Sequence, residues 1–204
     1  MSQLKRKRIV DWHWWLFDEP NSGNLIVHSC IDDGPIVLRK RYKRMACPRC
    51  GKVDEYAAVR RGIDEDVRLR SRKDITLTAD GFICITPRVV EFFREHQFRG
   101  VDLLPLPNGK HFVVMPAAWA RYDTTSGQIQ SRDPCQACGR YSEVWIMPST
   151  RALTFPADMP DIVTLDFRFE SKHYSDYLWI FGGHVYKLLR ASHFSGVGPK
   201  YKLK

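Results

Sequence analysis

The alternation of apolar and polar positions divides the chain into short elements. Residues 82–85 and 178–181 are brief apolar runs whose length and aromatic content predict buried strands. After the first run, Thr86 is placed to cap a helix and Pro87 to open it, and Val89, Phe92, Phe93 and His96 fall on one stripe at helical spacing. Gly100 is expected to stop that helix. After the second run, Gly182 and Gly183 interrupt the strand, and Val185, Leu188 and Leu189 make the corresponding stripe before Gly196. Residues 101–106 and 110–115, separated by Pro107, Asn108 and Gly109, predict a hairpin. Residues 143–147 and 162–169 read as further strands, and the polar stretch 124–134 as a surface loop. Trp12, Trp14, Trp15 and Phe17, set among Ile9, Val10 and Leu16, predict a buried N-terminal strand in preference to an exposed stacking surface.

The two strand-helix units resemble one another. Residues 82–101 align without gaps on residues 178–197 at an offset of 96. Val89, Arg94, Phe98, Gly100 and Val101 fall on Val185, Arg190, Phe194, Gly196 and Val197, while Phe92 and Phe93 fall on Leu188 and Leu189. Apolar character is kept where identity is lost, so the stripes read as core and the chain as two related halves.

Composition supports a folded core: 44% of the 204 residues are hydrophobic, which excludes a disordered tail. No apolar stretch reaches the roughly 18 residues needed to span a bilayer, and no secretory signal is read at the start; a cytoplasmic protein is expected. The net charge of +9 is uneven, with +7 in residues 1–73 and +2 in the remainder. Such a balance suits nucleic acid, anionic lipid or an acidic protein without choosing among them. Arg39, Lys40, Arg41, Lys43 and Arg44 form one basic run, and Arg68, Arg70, Arg72 and Lys73 another, but Asp64, Glu65 and Asp66 lie between them and weaken any single-sign field.

Candidate chemistry is concentrated in the cysteines. Four of the six form two C-x-x-C-G pentads, Cys47 to Gly51 and Cys135 to Gly139, leaving Cys30 and Cys84. In a metal knuckle the backbone curls round the first sulfur, and glycine after the second cysteine takes positive φ without penalty. Cys47, Cys50, Cys135 and Cys138 would supply the four thiolates of a tetrahedral structural Zn²⁺ site. The 84 residues between the pairs exceed the usual zinc-ribbon spacing. Closing that longer loop costs only roughly 1.5 kcal/mol more than closing one of about 15 residues, against a binding free energy on the order of 10 kcal/mol. Two diverged halves packed about a pseudo-twofold would bring both knuckles to one ion. Two alternatives compete: separate metals completed by His28 and Cys30, or by His173 and His184; and metal-free turns or a redox dithiol.

No enzyme is read. Pro134, Cys135 and Cys138 spell half of the zinc nucleobase-deaminase signature, but no H-x-E or C-x-E triplet supplies its general-acid glutamate. Nucleophile elbow, Walker loop, dinucleotide fingerprint and H-E-x-x-H helix are all absent.

The two pentads, the strand and helix between them and the second such unit closing the chain resemble the bacterial double-CXXCG motif family. The likeness rests on Cys47, Cys50, Gly51, Cys135, Cys138 and Gly139 with segments 82–106 and 161–197; the first forty residues match nothing in it. The resemblance implies a non-catalytic immunity-type protein of a toxin locus, which binds a cognate protein toxin while zinc serves the scaffold. The rival class is a zinc-ribbon module that binds nucleic acid through the basic N-terminal half. The fold expected is α+β, two related strand-helix halves with mixed sheets joined by a zinc-ribbon-like site of four cysteines. It divides into an aromatic and basic segment (1–46), a first CXXCG half (47–134) and a second (135–204).

Overall fold

The computed structural model describes residues 12–15, 25–30, 36–126, 129–146, 152–170, 175–198 and 200–202. Strand β1 (Trp12–Trp15) is followed by β2 (His28–Cys30), β3 (Ile36–Leu38), a 3₁₀ turn (Lys40–Met45) and helix α1 (Glu55–Arg60). Then come β4 (Ile75–Leu77), β5 (Ile83–Ile85), α2 (Pro87–Glu95), β6 (Val101–Pro105), β7 (Phe112–Pro116) and β8 (Trp119–Tyr122). After a second 3₁₀ turn (Thr124–Ser126) the chain continues through β9 (Ile129–Pro134), β10 (Tyr141–Ile146), β11 (Leu153–Thr154), β12 (Ile162–Glu170), β13 (Ser175–Gly182), α3 (Gly183–Ala191) and β14 (Lys200–Lys202).

The architecture is α+β. A four-stranded antiparallel sheet runs β4-β5-β7-β6, and a larger mixed sheet runs β11-β8-β12-β13-β1-β14 with β10 and β9 attached through β12. Among the described residues the parallel pairing is that of β8 with β12. Strand β1 pairs with β13 and β14 as an N-terminal strand should; the burial of its tryptophans, and Phe17, lie outside the described side chains and residues. The hairpin of β6 and β7 forms around the Leu106–Gly109 turn, with Gly109 at φ 66° and its amide donating to the Leu106 carbonyl.

Alternation along β12 and β13 separates two cores. Ile162, Tyr177, Trp179 and Phe181 face inward to Ile75, Ile83 and Ile85 of the small sheet and to Val89, Val90 and Phe93 of α2 and Val185 and Leu189 of α3. The other face, Val163, Leu165, Leu178 and Ile180, buries Ala120, Tyr122, Val144 and Ala152. The main core therefore draws on both halves of the chain.

The two helices have the same bounds at the offset of 96. Each is followed by a non-glycine residue at positive φ, Gln97 at 52° and His193 at 53°. In α2 this closes a Schellman motif: Gln97 N–H donates to the Arg94 carbonyl and Phe98 N–H to the Phe93 carbonyl, with the Phe93 and Phe98 rings 5.3 Å apart. The helix thus ends at Glu95, before Gly100, because the turn is made by Gln97. Three details of the expected helix change with it. His96 lies beyond the last turn, exposed and stacked on Phe98; Val90 is buried in its stead; and the Thr86 hydroxyl donates to Asp74 Oδ1 at 3.2 Å and does not cap.

Gly100 and Gly196 have a different task. Each sits at positive φ, and a Cβ on Gly100 would lie 1.8 Å from the Ile162 carbonyl oxygen, one on Gly196 1.8 Å from that of Ile75. Neighbouring hydrogen bonds exchange in the same way. The Ile162 amide donates to the Arg99 carbonyl at 3.1 Å and the Ile75 amide to the Ser195 carbonyl at 3.0 Å. Asp161 Oδ2 accepts from the Arg99 amide at 2.8 Å, and Asp74 Oδ2 from the Ser195 amide at 3.0 Å. The loop leaving each helix is therefore seated on the first strand of the strand-strand-helix unit in the opposite half, a pattern of reciprocal contacts that a pseudo-twofold relation generates.

Candidate metal centre

Each pentad folds as a tight turn closed by its own backbone. Cys47 N–H donates to the Lys52 carbonyl at 2.8 Å and Gly51 N–H to the Cys47 carbonyl at 2.8 Å; Cys135 N–H to Arg140 and Gly139 N–H to Cys135 repeat this at 2.7 Å. Gly51 and Gly139 sit at φ 74° and 71° with open space where a Cβ would stand, so glycine is required by backbone conformation alone. The first turn follows the 3₁₀ turn. The second is the tip of a hairpin, since Pro134 pairs with Tyr141 and residues 129–132 pair with 143–146. Most of the stretch expected to be a surface loop is thus strand. Gln130, Ser131, Arg132 and Asp133 are exposed, so no apolar face was present to betray the period.

The two turns bring their sulfurs together. The Sγ atoms of Cys47, Cys50, Cys135 and Cys138 all lie within 4.8 Å of one another. Counterparts face each other, Cys47 to Cys135 at 3.8 Å and Cys50 to Cys138 at 3.6 Å. These separations are far beyond the roughly 2.05 Å of a disulfide. They match the edge of about 3.8 Å in a tetrahedron of sulfurs with metal bonds of about 2.3 Å. Four cysteines so arranged could hold a metal ion. His28 lies elsewhere, 3.6 Å from Asp80, and His184 2.9 Å from Asp161; among the described residues neither belongs to the sulfur cluster. The Cys30 side chain and His173 lie outside the described atoms.

The turns also set the thiols' acidity. Backbone amides of Cys50 and Arg49 aimed at the Cys47 sulfur hold its thiol down at about 6. Those of Ala137 and Cys138 lower Cys135 likewise. At Cys138 the Arg140 amide pulls downward, but desolvation and the neighbouring sulfurs of Cys50, Cys135 and Cys47 together push the thiol up to about 12. The cluster thus readily carries negative charge on its first cysteines and resists adding more without a cation.

Two side chains missed in the sequence tie the turns together. Lys52 Nζ donates to the carbonyls of Tyr141 and Ser142 at 2.9 and 3.1 Å. Arg140 Nη1 donates to the Val53 carbonyl and its Nη2 lies 3.7 Å from Glu55 Oε2. Each is the residue directly after its pentad, and each reaches the exit of the other turn. The signal was a basic residue following both C-x-x-C-G motifs. Asp80, 1% exposed, is a further hidden anchor: its Oδ2 accepts from the amides of Ile26, Val27 and His28 and fixes the approach to β2.

Comparison with protein-family models and with curated proteins finds no match to the chain. Among the described residues no helix is long and apolar enough to cross a membrane.

Proposed function

We propose that the chain is a non-catalytic zinc-binding protein of the double-CXXCG type, which binds a cognate bacterial toxin in the cytoplasm and neutralises it. The observation that carries this reading is the cluster of four sulfurs formed by two pentads 84 residues apart, the feature on which the family resemblance rests. Four soft thiolates suit zinc. With four protein ligands no position stays open for a water or substrate, which suits a structural ion. Lys52 and Arg140 support the same role, since they hold the turns in place from outside the sulfur shell.

Two measurements test the reading. Protein purified without chelator is expected to carry one zinc per chain by elemental analysis. Co-expression is expected to relieve growth arrest by a toxin encoded beside its gene, with the two proteins copurifying. Metal-free protein with the same fold would remove the zinc assignment, and a neighbouring toxin that neither binds nor is neutralised would remove the immunity assignment.

A further inference from the structure

The 3₁₀ turn Lys40–Met45 repeats every three residues, so its side chains divide cleanly. Tyr42 is buried and Met45 packs on the core, whereas Lys40 and Lys43 share one outer row and Arg41 and Arg44 the other, all four exposed. Hydrogen bonds fasten this turn to residues 61–66. The Tyr42 hydroxyl donates to the Gly62 carbonyl, Arg41 donates to the Arg61 carbonyl, and Arg39 pairs with Asp66 at 2.9 Å. Arg49, exposed inside the first knuckle, and the exposed Arg61 extend the same basic region.

Of the five acids in residues 54–66, three are already engaged, leaving Asp64 and Glu65 to dilute the field. Asp54 caps α1 at the Ala57 amide, Glu55 is buried beside Arg140, and Asp66 is engaged by Arg39. Lys40, Lys43, Arg44, Arg49 and Arg61 have no carboxylate partner among the described residues. Rigid backbone beneath and unneutralised charge above make a surface prepared for an anionic partner.

We infer that this basic face is the docking surface for an acidic face of the partner protein, an inference that rests on the immunity reading. Two features favour protein over nucleic acid. The tyrosines of the region, Tyr42 and Tyr56, are buried, so neither ring is offered for base stacking. Asp64 and Glu65 sit beside Arg61 and would repel a continuous phosphate track, yet suit a mixed-charge protein contact.

The test measures binding of the full chain to the purified product of the neighbouring toxin gene. One variant is Lys40→Glu with Lys43→Glu and Arg44→Glu; a control of equal charge is Arg94→Glu with Lys110→Glu and Lys187→Glu. Zinc content equal to that of the unaltered chain verifies both folds. The first variant is expected to lose about 100-fold in affinity, mainly in association rate and in a salt-dependent way, while the control stays within about threefold. If the unaltered chain binds and the first variant binds equally well, the surface assignment fails alone. If the unaltered chain does not bind at all, the immunity reading fails and takes this inference with it. Retention of a duplex of about 20 base pairs at about 50 mM salt, abolished by the first variant, would make nucleic acid the partner and overturn the inference.

Discussion

Gly196 stands against the carbonyl of Ile75 so closely that a Cβ built on it would lie 1.8 Å from the oxygen. The two residues are 121 positions apart and belong to opposite halves, so this approach is a joint between halves and not a local turn.

Substituting Gly196→Ala or Gly100→Ala should therefore destabilise the protein by at least about 3 kcal/mol, since backbone must move to admit the methyl group. Gly51→Ala and Gly139→Ala, which meet nothing within 4 Å, should cost about 1–2 kcal/mol from their left-handed backbone alone. Urea unfolding of the four variants decides; equal losses would mean the joint is not tight.

Thiol accessibility should sort the cysteines. In a Cys30→Ser background, removing metal with a chelator should expose Cys47, Cys50, Cys135 and Cys138 to rapid labelling. Cys84, fully buried and with its thiol pushed well above 9.0 by desolvation, should react only on unfolding. Rapid labelling of Cys84 in the folded protein would contradict its burial.

Metal uptake should release protons, because Cys138 is held protonated with its value near 12 and must ionise to bind. Cys47, held down at about 6, is already a thiolate at about pH 7.5, so fewer than four protons should leave. The sign follows: affinity rises with pH as long as the free cluster holds more protons than the loaded one. Calorimetry in buffers of different ionisation enthalpy counts them, and a release of four or none would refute the ordering.

Arg140→Met removes a cation from beside Glu55, whose side chain is 3% exposed, and should cost about 3 kcal/mol. Adding Glu55→Gln should restore part of that loss. A double-mutant cycle with coupling under about 0.5 kcal/mol would show that the pair carries no weight.

Much of the architecture is readable because it leaves local marks. The apolar stripes around Val89 and Val185 announce both helices, and two glycine-terminated cysteine pairs announce the cluster. What escapes is made of single contacts over long distance. Asp74 reaching Ser195 or Lys52 reaching Tyr141 produces no period in the chain. Strand β9 escapes because its residues 130–133 all meet solvent, and Gly100 passes for a helix stop because glycine serves equally for close approach.

Reciprocal seating also dictates an order of events during synthesis. When residues 75–118 have left the ribosome, the amide of Ile75 and the carboxylate of Asp74 still lack Ser195, which is made 120 residues after Ile75. The Phe92 ring of α2 must likewise wait for Phe194. The nascent chain therefore cannot complete its first half alone, and the two halves close on each other only once Ser195 and Gly196 have been made.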